Sequence, residues 1–491
     1  MLDATNITSM LKDPGLLASK AYVAGEWIDA DDGATFPVLN PSRGDVITEV
    51  ADLGVAEARR AIEAADVAWK KWAELTGKER ANILRKWYDL MMANADDLAA
   101  ILTAEMGKPF AESRGEIAYG ASFVEWFAEE AKRVYGETVP GPQADKRIIV
   151  IKQPVGVVAS ITPWNFPNAM ITRKAGPAFA AGCAFVARPA SETPLSALAL
   201  AVLGERAGIP AGLFSVVTSK KSSAIGEEFC TNPTVRKITF TGSTEVGRIL
   251  MRQSAAQIKK VSMELGGNAP FIVFDDADID AAVAGAMISK YRNNGQTCVC
   301  ANRLYVQSGV YDEFAEKLSA AVGGLTLGDG FQDGVNTGPL ISEDAVKKVE
   351  EHIADALEKG ASLVTGGSRH GAAGTWFEPT VIANVTQDMV VARDETFGPV
   401  APLFRFETEE EVIELANDTI HGLASYFYAK DLSRVWRVAE ALEYGMVAIN
   451  TGLLSTESAP FGGVKQSGIG REGSRHGIDE YLELKYLCIG L

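Results

Sequence analysis

The chain is poor in the residues that carry metal and triad chemistry, with five cysteines and four histidines among 491 residues. Cys183, Cys230, Cys298, Cys300 and Cys488 show no metal-ligand spacing. His352, His370, His421 and His476 sit in no HExxH or GxSxG context. Metal hydrolases and Ser-His-Asp enzymes therefore have little support. Few, scattered cysteines fit a reducing compartment better than a disulfide framework. No run of 18 apolar residues occurs, which excludes a helical membrane span. Met1–Lys20 holds no arginine, contains Asp3 and Asp13, and lacks a basic stretch followed by an apolar one, so no leader is expected. Positive charge is also scarce. Lys and Arg number 47 against 64 Asp and Glu, a net charge of −17, which argues against nonspecific binding to nucleic acid or anionic membrane. An anionic substrate would be repelled overall and would need locally placed arginines. A soluble, cytoplasmic protein is the expectation.

What remains is ordinary globular composition, 47% apolar and 23% charged, in a chain too long for one hydrophobic core. Two or three lobes are expected. Residues 51–131 read as long Ala/Glu/Lys/Arg-rich helices, and Arg147–Lys152 as a strand between Pro142 and Pro154. From Val155 onward, strands at 157–161, 184–187, 214–217 and 237–241 alternate with helices at 169–181, 195–207, 222–229 and from about Glu245. That alternation predicts a doubly wound, mostly parallel sheet. A second α/β series starts at Pro270 and runs to about Asn450. The tail Tyr481–Ile489 alternates in a β-prone way and could pair with another sheet edge.

Five segments carry chemistry. Cys298 ends the polar turn Asn293-Asn294-Gly295-Gln296-Thr297, with Arg292 six residues before it. A packing cysteine belongs in an apolar run, whereas this setting suits a thiol that meets a substrate as thiolate. Gly242-Ser243-Thr244-Glu245-Val246-Gly247 follows a strand and opens a helix, where backbone N–H groups and the helix dipole can face a phosphate. It is not GxGxxG, and a plain strand-to-helix turn is the alternative. After a neighbouring strand, Arg188 and Ser191 stand where NAD-binding folds place an acid for the ribose, an arginine there suiting a 2′-phosphate. Glu192 beside them could restore that acid. Glu264 precedes two glycines, where a partly apolar cleft would raise its pKa toward that of a useful base; a surface Glu before a turn is the alternative. Asn165, between Trp164 and Phe166-Pro167, is placed either as an oxyanion donor or as the cap of the following helix.

Together these segments resemble the NAD(P)-dependent aldehyde dehydrogenase superfamily, from Val23-Ala24-Gly25-Glu26-Trp27 through Pro460-Phe461-Gly462-Gly463-Val464-Lys465. The most specific markers are Glu264-Leu265-Gly266-Gly267, Gly295-Gln296-Thr297-Cys298 and Glu395-Thr396-Phe397-Gly398-Pro399. Met170-Ile171-Thr172-Arg173-Lys174, Arg292, Cys298-Val299-Cys300 and Gly470-Arg471-Glu472-Gly473-Ser474 bring the chain nearest to the succinate-semialdehyde branch, including bacterial members that take glutarate semialdehyde. The resemblance implies an α/β fold with a Rossmann-type cofactor domain (1–136 and 158–270), an α/β catalytic domain (271–470) and a small β oligomerisation element (137–157 and 471–491) building a homodimer or homotetramer.

By the same resemblance Cys298 is the nucleophile, Asn165 the oxyanion amide and Glu264 the general base. Trp164, Arg188, Ser191, Gly242, Ser243, Leu265, Glu395 and Phe397 are the cofactor residues. Arg173, Arg292 and Ser455 bind the distal carboxylate of a semialdehyde. Ser191 in place of an acid, with Arg188 beside it, points to NADP over NAD. Two positions depart from the family pattern: Arg188, where lysine is usual, and Ser219-Lys220-Lys221, which replaces a Gly-containing turn. Glu264 favours hydrolysis of a thioester over its transfer to coenzyme A. Cys300, two residues from the nucleophile, is either a redox partner or a small buried residue.

Overall fold

Each strand–helix connection after Val157 is long enough for a parallel crossover, and the order in which the strands return decides where a ligand can bind. The computed structural model describes residues 7–371 and 374–491; the first six residues of the stretch read for a leader lie outside the described residues. Its first sheet has eight strands, in the spatial order Gly468–Ile469, Lys260–Glu264, Val235–Thr241, Val157–Ile161, Ala184–Arg188, Phe214–Val216, Ala21–Val23 and Glu26–Ile28. The central five run parallel and the outer ones antiparallel. Strand order therefore reverses beside Val157–Ile161, whose neighbours are the next strand in sequence and a later one. Ligands bind such sheets beyond the carboxyl ends of the strands at this reversal. The residues that emerge there are 162–165 and Gly242–Ser243.

Ala184–Arg188 is buried at every position, as a strand covered by helices on both faces must be. One cover is the helix Ala169–Ala181, also buried throughout. The second sheet has seven strands, in the order Ser362–Thr365, Thr380–Ala383, Val400–Phe406, Ala301–Gln307, Ala269–Val273, Ala424–Tyr428 and Met446–Ile449. All but the first pair in parallel. Lys260–Glu264 closes the first parallel series and Ala269–Val273 opens the second, so Glu264 and the two glycines after it lie at the junction of the two sheets. The alternation read from sequence is present, and several elements match residue for residue. The N-terminal hairpin Ala21–Ile28 and the short strand Gly468–Ile469, which extend the first sheet at its two edges, were not legible. Gly468–Ile469 belongs by sequence to the range assigned to the catalytic domain, yet it pairs with Lys260–Glu264.

The tail does not wait for a second chain. Leu482–Gly490 pairs antiparallel along its whole length with Lys146–Pro154, and Glu137–Val139 completes a three-stranded sheet. The outer edge of the tail strand stays open, with Leu484, Tyr486, Leu487 and Ile489 exposed. No helix among the described residues is long and apolar enough to cross a membrane.

Candidate active site

The cysteine loop begins where the helix Ile279–Tyr291 ends. Asn293, Asn294 and Gly295 then take three successive left-handed conformations, with φ of 52°, 53° and 76°. Asparagine tolerates this region better than most residues, but the run is held by specific bonds. Asn294 donates to the Gly338 carbonyl at 2.9 Å, and Gln296 accepts from the Ile341 N–H at 2.9 Å while donating to Pro339. The turn delivers Cys298, half-buried, into a cleft of about 390 Å³. Burial pushes the Cys298 thiol up to about 12; Arg173 and Arg292 pull it down, while Glu395 and Glu264 push it further up. Cys298 rests as a thiol within reach of two cations and two carboxyls. Cys300 is fully buried, and its thiol donates to the Lys290 carbonyl at 3.3 Å. Both cysteines are free. A bond between them would require Cys300 to leave that carbonyl.

Asn165 does not cap a helix. The following helix is capped at Asn168, and the Asn165 amide donates to the Gln296 carbonyl at 3.0 Å, across to the cysteine loop. Its second N–H makes no further hydrogen bond among the described residues, and its buried Oδ1 has no partner among them either. Glu264 is not a surface residue either: it is 4% exposed, and neither carboxyl oxygen has a hydrogen-bond partner among the described residues. Burial, then the negative charge of Glu472, raises its pKa well above the ordinary carboxyl value, against Arg173, Lys174 and Arg471. A carboxyl whose pKa is raised in this way holds a proton more tightly than an ordinary one, the direction that makes a carboxylate a stronger base toward water.

Trp164, Gly242, Ser243, Leu265, Glu395 and Phe397 line the same cleft as Asn165 and Cys298. Ser243 caps the helix Thr244–Ala255, accepting from the Val246 N–H at 3.3 Å, so that helix's N-terminus opens on the cleft. Phe397, held at a left-handed φ of 55°, packs edge-on against Trp164 with centroids 5.6 Å apart. Strain of this kind persists only where surroundings over-determine it, and it gathers at functional sites. Burial raises Glu395 to about 7, opposed by the Gly267 N–H at 3.2 Å and by Lys348 and Lys290. Arg188 lines an adjoining cleft of about 330 Å³ with Trp164, Gly242, Ser243 and Glu192. Its Nη2 braces the turn at Ser219, donating to that carbonyl at 2.8 Å, while its buried Nε has no partner among the described residues. Ser191 lies apart from both clefts, bonded to Glu192 at 3.2 Å and facing a separate surface cavity with Lys220.

The three substrate-side residues are not equivalent. Arg173 is 2% exposed, with Nη2 2.6 Å from Glu472 Oε2 as an ion pair that lacks hydrogen-bond alignment. It also sits 4.0 Å over the Phe461 ring and donates weakly to Tyr119 Oη at 3.4 Å. Much of the Arg173 charge is thus already engaged by a carboxylate of the protein itself. Arg292 is partly exposed, packs on Phe166 at 5.3 Å, and forms no ion pair among the described residues. Ser455 reaches the same place, its hydroxyl meeting that of Tyr119.

A thiol, an amide, a buried carboxyl and a helix-mouthed cleft thus converge at the junction of the two sheets. The family model described as "Aldehyde dehydrogenase family" matches residues 27–487. The chain belongs to that family. It is 67% identical over 480 residues to a glutarate-semialdehyde dehydrogenase of Pseudomonas aeruginosa, covering 98% of this chain and 99% of the relative. It is 64% identical to an NADP(+) succinate-semialdehyde dehydrogenase of Escherichia coli, covering 98% and 100%. The crystal structure of a succinate-semialdehyde dehydrogenase from Burkholderia pseudomallei superposes with a TM-score of 0.97 at 64% identity, again covering 98% of this chain and 100% of the other.

Sequence reasoning left part of this aldehyde dehydrogenase's site without a role. Lys174 pairs with Glu472 and bonds Thr241 Oγ1 at 2.6 Å, so Arg173 and Lys174 hold one carboxylate between them. Burial opposes the charge of Glu472, but Lys174 and Arg173 hold it below the ordinary carboxyl value. Glu472 and Lys174 stood inside quoted markers, yet nothing local marked them as partners 298 residues apart. Tyr119, Lys108 and Glu116 gave no signal at all, because each looks like one more charged or aromatic residue in a helical run.

Proposed function

We propose that this aldehyde dehydrogenase oxidises succinate semialdehyde to succinate with NADP. The observation that carries the reading is the group formed by Arg292, Ser455, Tyr119 and the more deeply set Arg173. It lies outside the cofactor cleft, and both arginines act on the Cys298 thiol. In a chain of net charge −17, this is a local reversal of sign beside the nucleophile. An arginine without an ion-pair partner offers a carboxylate bidentate, charge-assisted bonds. Arg292 and Ser455 are assigned the direct contacts, and Arg173, already facing Glu472, contributes positive potential from behind. The name of the Escherichia coli relative supports both the substrate and NADP. Arg188, with a buried Nε lacking a partner on the second cleft, suits a 2′-phosphate.

In this reading the Cys298 thiol first releases its proton to water, the thiolate attacks the aldehyde carbon, and the Asn165 amide with the Cys298 backbone N–H holds the oxyanion. Trp164, Arg188, Gly242, Ser243, Glu395 and Phe397 would hold NADP along the two clefts, where it would supply the hydride acceptor needed for the Cys298 adduct to become a thioester. Glu264 then takes a proton from water, the hydroxide adds to the thioester carbon, and the carboxylic acid departs as the Cys298 sulfur is released. The Pseudomonas aeruginosa relative is named for glutarate semialdehyde, whose three-methylene tether exceeds the two-methylene tether of succinate semialdehyde by one carbon. One methylene changes discrimination by only about 1–3 kcal/mol.

Initial rates for succinate semialdehyde, glutarate semialdehyde and butanal, each with NADP and NAD, test the reading. The highest kcat/KM is expected for succinate semialdehyde with NADP. Arg292→Ala should raise KM for the semialdehydes by about tenfold or more and leave butanal within about twofold, as the loss of a charge-assisted contact of ~1.5–3 kcal/mol requires. Equal losses on both classes would assign Arg292 to structure. The same reading makes the protein a homodimer or homotetramer built through the sheet that carries the tail, whose open edge and exposed apolar side chains favour burial against a second copy.

A further inference from the structure

Lys108 and Glu116 form a salt bridge of 2.6 Å with side chains 1% and 0% exposed. Burying two charges costs more than their mutual attraction returns unless further bonds satisfy them, so the other partners of this pair show what it serves. Lys108 Nζ also donates to the Asn165 backbone carbonyl at 2.6 Å and lies 3.9 Å over the Phe166 ring. Glu116 Oε1 accepts from the backbone N–H groups of Asn168 and Ala169 at 3.0 and 3.2 Å. It thereby caps the helix Ala169–Ala181, whose own N-cap side chain makes no capping bond. Every polar contact of the pair beyond itself falls on residues 165–169.

One turn earlier on the same helix, Phe110–Glu130, stands Glu112, and residues four apart share a helix face. Its Oε2 accepts from the Asn293 N–H at 2.9 Å, in the left-handed turn that precedes Cys298. Asn293 closes the circuit, its Nδ2 donating to the carbonyls of Asn165 at 3.2 Å and Gln296 at 3.3 Å. The Gln296 carbonyl is also the acceptor that orients the Asn165 amide. A single helix face therefore grips both loops that must meet at the aldehyde carbon.

We infer that Lys108 and Glu116 are positioning residues for the oxyanion amide: they set the Asn165 backbone, relative to a cysteine loop anchored by Glu112, at the distance acylation requires. Neither touches substrate; both act through Asn165. The inference rests on the catalytic assignments above but not on the choice of substrate, since an oxyanion forms on any aldehyde that Cys298 attacks.

The test is a cycle of variants. Lys108→Met with Glu116→Gln removes both charges and strands neither; it is compared with Asn165→Ala and with all three changes together. Single-turnover formation of reduced cofactor is measured with succinate semialdehyde and with butanal, and alkylation of Cys298 by iodoacetamide, which builds no oxyanion, is measured alongside. The Lys108/Glu116 variant should acylate on the order of 10²-fold more slowly, the effect of losing one oxyanion donor. Adding Asn165→Ala to it should cost less than about threefold more, and alkylation should stay within about twofold of wild type. Losses that multiply when Asn165→Ala is added, an alkylation rate that falls with acylation, or acylation left unchanged would each overturn the inference. If the paired variant does not fold, Lys108→Arg keeps the charge but moves it off the Asn165 carbonyl, and the same cycle and criteria apply. Failure on succinate semialdehyde alone, with butanal behaving as expected, would count against the substrate reading and leave this one standing.

Discussion

At the scale of single residues, the active site is governed by what burial does to ionisable groups. The Cys298 thiol, pushed up to about 12 by burial, is almost wholly protonated at neutral pH in the resting enzyme. Its alkylation by iodoacetamide, which needs thiolate, should climb about tenfold per pH unit to at least pH 10; a plateau below pH 9 would contradict this placement of the thiol. Glu264 is raised by burial and by the charge of Glu472, so its neutral form persists as pH rises and its base form is gained only above the ordinary carboxyl range. Hydrolysis of the thioester should therefore quicken with rising pH. Glu264→Gln should give a burst of reduced cofactor followed by slow turnover, and absence of both burst and slowing would remove Glu264 from the mechanism. Glu472→Gln takes away a negative neighbour and leaves Arg173 and Lys174 facing Glu264, both of which lower its pKa. The pH at which hydrolysis becomes fast should shift downward, and an upward shift would show that the pair is not coupled in this sense. The variant also leaves two buried cations without their carboxylate, so stability should fall by roughly 3–5 kcal/mol, measured by denaturant unfolding.

At the scale of elements, the site is two loops brought into register, and each was legible to a different degree. The strand-to-helix turn at Gly242–Ser243 follows from short-range rules: a strand of β-prone residues, a serine cap, and a helix. The cysteine turn follows from its own chemistry only in part. Asn293-Asn294-Gly295 is a plausible left-handed run on sequence, but its closeness to Gly398 is a matter of packing. A Cβ at Gly295 would sit 2.2 Å from the Gly398 carbonyl oxygen, at a φ of 76° that side chains resist. Gly295→Ala should therefore cost more than the ~1 kcal/mol typical of a glycine in this region, and should slow Cys298 acylation as the loop shifts. Denaturant midpoints and burst rates unchanged from wild type would show the loop to be more yielding than its packing implies. Asn165 illustrates the opposite limit. Its identity as a cap or an oxyanion donor could not be decided from Pro-Trp-Asn-Phe-Pro, because both roles use the same residue with different side-chain directions. The Gln296 carbonyl, 131 residues away, settles the direction.

At the scale of the molecule, charge and exposed surface matter most. The three-stranded sheet of Glu137–Val139, Lys146–Pro154 and Leu482–Gly490 leaves Leu484 71%, Tyr486 62% and Ile489 44% exposed. A long strand with an open edge and apolar side chains is an aggregation hazard unless it is covered. Light scattering should return a multiple of 52.4 kDa for the wild type. Leu484→Asp with Tyr486→Asp should lower that mass toward one chain without disturbing Cys298, which lies in a different sheet's junction; an unchanged mass would place the contact elsewhere.

The sequence by itself determined the chemistry and the class of fold. A thiol in a polar turn, a carboxyl before two glycines, and strands alternating with helices are local patterns, and local backbone preferences and hydrophobic periodicity suffice to form them. Tertiary structure decided how those groups behave. It pairs Arg173 with Glu472 rather than leaving it free for a substrate, turns the tail back onto its own chain, sets Ser191 away from both clefts, and buries Lys108 and Glu116 beneath Asn165. Each of these depends on which distant residue fills the neighbouring space. Desolvation and pairing are properties of a packed environment, to which residues hundreds of positions apart contribute equally with the nearest neighbours, and no single segment carries them.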